Sequence, residues 1–243
     1  MSQHPVIEQV GFLVPPKTSA AQVRLEMMGG EFCGNAARSA GWWWGTLHGL
    51  HTTTLEVSGF SAPVIVSLSG YGSMLEVPMS FVQGMKSVPE GTLVDLSGIR
   101  HLIVQGKRVS NPRKLIERYC DGCAAVGVMF TQTHRDGITI DPLVWVRDTD
   151  TFVEETACGS GSIAASVAHN SGKSVCGLKI EQPSGETFLA CTPALGATAD
   201  TIRLQGSVEY KGEGDLQCPA PAHHWSQGRS VLSTEIMPAQ VCL

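Results

Sequence analysis

The stretch ETACGSGSIAAS, residues 155–166, sets a lone cysteine, Cys158, in front of a run of glycine and other small residues. Residues 31–41, EFCGNAARSAG, do nearly the same around Cys33. Each small-residue run predicts a helix, the first over 35–43 after the Gly29-Gly30 break, the second over 157–172 and ended by Gly172. Strand-like segments surround both in the same order. Residues 5–14 and 22–27 precede the first helix, and TTTLEVSG, APVIVSLSG and SMLEVPMS follow it between glycine turns. CAAVGVMFTQ and ITIDPLVWVRD precede the second, and SVCGLKIEQPSG, ETFLACTP and TIRLQGSVEYKG follow it. The offset is nearly constant: 125 residues from Cys33 to Cys158, and 126 from Gly59 of LEVSG to Gly185 of EQPSG. Two copies are too few for a solenoid, which needs about three or more. They imply a pair of similar domains facing each other.

Between the copies, GTLVDLSGIRHLIVQ reads as two strands leading out of the first half, and NPRKLIERYCDG as a helix capped by Asn111 with Pro112 at its first position. The expected division is 1–105, 106–215 and an irregular, proline-rich extension over 216–243 in which His223 and His224 are solvated.

Bulk properties narrow the partners. The chain has 243 residues, 42% hydrophobic and 16% charged, enough to bury a core in one or two domains. A formal charge of −5 and scattered basic residues argue against a nucleic-acid surface. The densest basic cluster, Lys107-Arg108 with Arg113-Lys114, reads as a solvated face. No apolar run reaches the ~18–20 residues of a membrane helix, and MSQHPVIEQVGFLVPP lacks a secretory pattern. A cytoplasmic setting is expected, in which all eight cysteines stay thiols and Cys176 and Cys191 form no pair. Cys120 and Cys123 form a C-x-x-C without the second pair that a zinc site wants, so they read as structural and no metal site is expected.

A cysteine at a helix start meets unpaired backbone N–H groups and the positive end of the helix dipole. Its thiolate is expected to be stabilised, with the pKa falling from ~8.5 toward neutrality. The amides that follow, of Gly34 and Asn35 or of Gly159 and Ser160, can hold a carboxylate. Two such half-sites across a cleft set a sulfur on each side of one carbon. That suits removal of a proton from one face and its return to the other, with one sulfur thiolate and the other thiol. The expected substrate is an α-amino acid and no cofactor is called for: no lysine stands in a Schiff-base setting and no phosphate-binding glycine loop is present.

At these residues the chain resembles the diaminopimelate epimerase family of cofactor-independent amino-acid racemases. Cys33-Gly34-Asn35-Ala36-Ala37-Arg38 is similar to the first family motif, C-G-N-G/A-x-R, and Cys158-Gly159-Ser160-Gly161 to the second, A-C-G-S/T-G. Within the family it most resembles the histidine racemases of opine-type metallophore pathways, through EQVGFL, GGEFCGNAA, VSGFSAPV, VGVMF, PLVWV and EQPSG. The resemblance implies an α/β fold of two pseudo-symmetric domains, each a curled β-sheet around a central helix, with the active site in the cleft between them. It implies Cys33 and Cys158 as the acid/base thiols. Gly34, Asn35, Gly159 and Ser160 would hold the substrate carboxylate, Glu155 would face the amino group, and His101 would line the site. The family's first strand and helix, with a substrate-touching asparagine, have no counterpart here. Nor is the Glu-Arg pair that reads the distal end of diaminopimelate; Asp148-Thr149-Asp150-Thr151 stands in its place, which favours histidine. The alternatives are an epimerase of diaminopimelate or a proline derivative with the same two-cysteine chemistry, and an inactive ligand-binding relative. Trp42-Trp43-Trp44 read as core packing or as the interface of a homodimer.

Overall fold

A computed structural model describes residues 8–70, 72–197 and 200–212, and the backbone of 239–242. The fold is mixed α/β, rich in sheet and poor in helix. Helix α1 spans Gly34–His48, five residues beyond the expected end, because the chain stays helical until Gly49. There φ is +65°, a left-handed backbone natural to glycine, and the Gly49 N–H bonds back to the Gly45 carbonyl. The helix buries Gly34, Ala36, Ala37, Arg38, Ala40, Gly41 and Gly45, and this small-residue stripe lets it lie close on the sheet. Trp43 and Trp44 are half-buried against the core, and the Trp44 ring stacks on His48 at 4.4 Å. Helix α3, Gly159–His169, is buried from Gly159 through Val167. Its serines survive burial because they are bonded: Ser162 Oγ donates to the Cys158 carbonyl at 2.6 Å, and Ser166 pairs with Thr192 at 3.0 Å.

The strands before and around α1 are β1 (Val10–Val14), β2 (Val23–Met27), β3 (Thr52–Val57), β4 (Phe60–Ser69) and β5 (Gly72–Pro78). β1 and β2 are antiparallel; α1 is the crossover that makes β2 and β3 parallel; β4 and β5 follow as antiparallel neighbours. The second copy repeats this with β9 (Ala125–His134), β10 (Gly137–Val146), β12 (Val175–Glu181), β13 (Thr187–Thr192) and β14 (Thr201–Ser207). β9 and β10 are antiparallel, α3 carries the chain to the parallel β12, and β13 and β14 close the meander. β5 and β14 pair antiparallel from Pro78↔Thr201 to Gly72↔Ser207. The strand order therefore runs β1-β2-β3-β4-β5-β14-β13-β12-β10-β9, the second set reversing the first. A short β11 (Thr151–Glu154) lies on β10 and delivers the chain to Cys158.

The structure corrects several expectations. Three strands, β6 (Val82–Val88), β7 (Gly91–Leu96) and β8 (Ile99–Gln105), extend the sheet beyond β9, with β8 parallel to β9 and β7 and β8 packed on α3. Residues 91–105 thus pack on α3, and the strands that follow the 3₁₀ turn Met79–Phe81 join the β9 side of the sheet. Helix α2 spans only Arg113–Tyr119, with Pro112 as its N-cap residue and no side-chain cap bond from Asn111. It covers one face of β9 while α3 covers the other, which is why residues 125–130 of that strand are all apolar and buried before it runs out into Thr-Gln-Thr-His. Cys176 and Cys191, expected as separate thiols, are joined as a disulfide across β12 and β13, beside a bulge that shifts the register there. The basic cluster does lie at the surface, where Arg108 pairs with the exposed carboxylates of Asp141 at 3.1 Å and Glu154 at 2.7 Å. The extension expected to be irregular returns as β15 (Ala239–Cys242), antiparallel to β1. His223 and His224 lie outside the described residues. Among the described residues, no helix is long and apolar enough to cross a membrane.

Candidate active site

Cys33 and Cys158 are the N-cap residues of α1 and α3, both in extended backbone, with φ −122° and −130°. Each sulfur accepts the amide of the third residue on, Ala36 or Gly161, at 3.3 Å. The two helix starts meet head to head. A Cβ built on Gly34 would lie 3.1 Å from the Gly159 carbonyl carbon and the Ser160 nitrogen. One built on Gly159 would lie 2.9 Å from the Asn35 nitrogen. Only residues without a side chain let two backbones approach this closely. The contact is locked by Asn35, whose Nδ2 donates across to the Ala157 carbonyl at 2.8 Å. The first-turn amides of both helices, which have no partner inside their own helix, are thereby gathered at one junction.

The polar groups around the sulfurs form one network. The Cys33 thiol donates to Gln9 Oε1 at 2.6 Å, and Gln9 Nε2 donates to Glu155 Oε1 at 2.6 Å. Glu155 lies close enough to Cys158 to raise the pKa of its thiol. On the far side of Cys158, Ser160 Oγ lies 3.8 Å from the sulfur and 3.0 Å from His101 Nε2. Gln182 Oε1 accepts the Cys158 N–H at 3.0 Å, and its Nε2 donates to Ser162 Oγ at 3.0 Å. All eight residues singled out in the sequence are at this junction: Cys33, Gly34 and Asn35 from α1; Cys158, Gly159 and Ser160 from α3; Glu155 ahead of α3; and His101 from β8. Sequence reasoning missed Gln9, Gln182 and Glu31. Gln9 and Gln182 stand in EQVGFL and EQPSG, each one residue outside a strand, and a lone glutamine there carries no chemical signature of its own. Arg38, the last residue of the first motif, does not touch the sulfurs. It lies over the Phe188 ring at 4.5 Å and donates to the Ser207 carbonyl at 3.0 Å, tying α1 to β13 and β14.

Electrostatics at the junction run against the expectation of low-pKa thiols. Burial pushes both thiols well above their usual range, and the nearby Glu155 charge adds to the rise at each. The amides of Ala36 and Gly161 pull the other way and lose. The magnitudes explain why: a helix terminus contributes up to ~2 kcal/mol, while full burial moves a pKa by up to ~3–5 units, each ~1.4 kcal/mol. Burial also raises Glu155 to about 8, so its carboxyl is largely protonated at neutral pH. It lowers His101 to about 3, so that ring is neutral. Glu31 is raised in the same way, with a smaller contribution from Asp148. Two thiols, a buried carboxyl and converging amides can exchange protons with a carbon held at the helix junction.

Comparison with known proteins supplies the family. The sequence profile described as "Histidine racemase CntK N-terminal domain" matches residues 1–216. The chain belongs to that family. Two histidine racemases from strains of Fusobacterium nucleatum are each 29% identical to it, over 236 and 232 residues. Those alignments cover 86% of this chain and 81% and 80% of the relatives. Among solved structures, a predicted epimerase of Pseudomonas aeruginosa matches with TM-score 0.56 at 15% identity, covering 85% of this chain and 83% of that one. A PhzF-family phenazine biosynthesis protein of Enterococcus faecalis matches with TM-score 0.52 at 14% identity, covering 87% and 83%. These two matches speak to the fold alone, which is of the PhzF and epimerase type. As a member of the racemase family, the chain is an isomerase acting on amino acids.

Proposed function

We propose that this protein is a pyridoxal-phosphate-independent histidine racemase, interconverting L- and D-histidine with Cys33 and Cys158 as its two bases. The observation that carries the proposal is the head-to-head meeting of two cysteine-capped helices at Gly34 and Gly159. The palindromic strand order supports two pseudo-symmetric domains with the site at their junction. The substrate carboxylate lies on the amides of Gly34, Asn35, Gly159 and Ser160, where helix-end N–H groups favour an anion. Its ammonium faces Glu155 and Gln9. That cation offsets the burial that holds the thiols protonated, and it draws Glu155, neutral in the free protein, to its carboxylate form with loss of a proton to solvent; the carboxylate then accepts the Cys158 proton as the thiolate forms. One thiolate then removes the α-proton, and the opposite thiol delivers its own proton to the other face. The roles reverse for the other enantiomer, and the two thiols between them balance the proton without a cofactor.

A specific feature favours histidine over diaminopimelate. The crevice beside Gln9 and Glu155 is lined by three carboxylates, Glu8, Glu31 and Glu155, and among its lining residues there is no lysine, arginine or histidine. A distal substrate carboxylate would find no counter-charge there, whereas an imidazole would. The reading extends to D-histidine supply for metallophore assembly, which the family likeness supports. It also extends to a cytoplasmic setting, whose reductants keep the proton-shuttling thiols free and would also open the surface Cys176–Cys191 bridge.

The test is α-proton exchange from L-histidine in deuterated buffer, followed by chiral chromatography, with no cofactor added. Wild type is expected to exchange and racemise, and Cys33→Ser and Cys158→Ser each to lose at least ~100-fold. Full racemisation by either serine variant would end the two-thiol assignment. Exchange of diaminopimelate but not histidine would move the chain to the other epimerase reading.

A further inference from the structure

Glu31 is a buried acid that the two-thiol mechanism does not use. The residue is 5% exposed, and its Oε2 has no hydrogen-bond partner among the described residues. Buried carboxylate oxygens are almost always bonded, so one left open is a place where a ligand donor fits. The carboxyl lines the crevice that also holds Gln9 and Glu155, which are hydrogen-bonded to each other and, through Gln9, to Cys33. Its charge is felt at both Cys33 and Glu155. Gly29 packs directly on this carboxyl and on the facing wall: a Cβ there would come within 2.8 Å of Glu31 Oε2 and 2.3 Å of Val146 Cγ1, so a side chain at this position would collide with both. The opposite wall is apolar, formed by Val144, Val146 and Val153 from β10 and β11. Thr149 and Thr151 also line it, but their hydroxyls bond each other at 2.8 Å.

We propose that Glu31 is the specificity-determining residue of this enzyme, its carboxyl taking a ring N–H of the substrate imidazole while the valines of β10 and β11 cover the ring face. The inference rests on the histidine racemase reading and deepens it. A substrate anchored by its ammonium at Glu155 points its side chain toward the crevice that Glu31 lines, whose free volume of about 20 Å³ requires the valine wall to move outward as the ring enters. An imidazole brings one N–H when neutral and two when protonated, and its flat faces are apolar. A leucine side chain fills similar space and brings no donor, so it leaves the Glu31 carboxyl buried and unmatched. Sites built to hydrogen-bond a substrate group reject analogues lacking it by factors of about 10⁴–10⁵.

The experiment measures kcat/KM for α-proton exchange on L-histidine and on L-leucine, in wild type, Glu31→Gln and Glu31→Leu. The preference for histidine over leucine is expected to fall at least ~100-fold in Glu31→Leu and at least ~10-fold in Glu31→Gln, mainly through KM for histidine. A ratio is read because a general loss of folding or of thiol chemistry lowers both rates together and leaves it unchanged. If Glu31→Leu does not fold, the near-isosteric Glu31→Gln decides. A wild-type ratio in the folded variants overturns the assignment of Glu31 while leaving the racemase reading intact. Wild type that fails to exchange histidine at all overturns both.

Discussion

Replacing Gly159 by alanine tests the geometry on which the site depends. The added Cβ would stand 2.9 Å from the Asn35 nitrogen and Oδ1 and 3.0 Å from the Gly34 carbonyl carbon. Carbon contacts settle at about 3.5–4.0 Å, so the helix starts must separate by roughly 0.6 Å. Two of the three crowding atoms are backbone, so no rotamer change relieves them. Overpacking of this kind costs ~1–3 kcal/mol. The general benefit of alanine over glycine, ~0.4–1 kcal/mol from a less flexible unfolded chain, works in the opposite direction. A net loss of about 1–2 kcal/mol remains, which for a chain of this size lowers Tm by about 2–8 °C. A misplacement of ~1 Å costs about 100-fold in rate, so a shift of roughly half that size should cost about tenfold in histidine exchange. Gly34→Ala, whose nearest contacts are 3.1 Å, should be milder on both counts. Gly84→Ala, with no atom within 4 Å of the new Cβ, is the control and should stay within ~0.5 kcal/mol of wild type. Differential scanning fluorimetry and the exchange assay read both quantities. If Gly159→Ala melts and turns over like wild type, the two helix starts do not abut.

Three further outcomes follow from burial and connectivity. Glu155 is raised from 4.5 to about 8, so the fold favours its neutral form; stability should fall as pH rises from about 4.5 through 8, and Glu155→Gln should flatten that slope in melts at pH 5, 7 and 8.5. His101 is lowered from 6.5 to about 3, so the unfolded chain takes up a proton that the fold refuses; stability should fall as pH drops from 6.5 toward 3, and His101→Gln should remove that acid limb in urea titrations. Reducing the Cys176–Cys191 bridge opens a loop closed across 15 positions, worth ~3 kcal/mol on loop entropy. Reductant should therefore lower the Tm of wild type and leave that of Cys176→Ser unchanged, whereas an unmoved wild-type Tm would mean that the bridge carries no stability.

Much of the site was legible because its chemistry is local. A cysteine followed by Gly and small residues can be read as a helix cap from a dozen letters, and finding it twice at one offset points to paired sulfurs. What escaped the sequence was non-local. Residues 82–105 follow the first copy in the chain yet pair in parallel with β9, and alternation of apolar residues names a strand without naming its neighbour. Cys176 and Cys191 meet because β12 and β13 form a hairpin with a bulge, which spacing alone does not reveal. Gln9 reaches Cys33 from 24 positions away and Glu155 from 146. Glu31, two residues before Cys33, was in plain view, but an acid in a loop reads as solvated until the walls around it are known.

Composition and short-range pattern were enough to determine that this chain makes two cysteine-capped helices, each followed by a β-meander, because capping and periodicity depend only on neighbouring residues. Whether those caps oppose each other was decided by the antiparallel seam between β5 and β14 and by two glycines that let the backbones touch. The protonation of the thiols was likewise decided by tertiary structure. Removing a helix start from water costs a thiolate more than the helix dipole returns, and only the packed chain determines how much water is left.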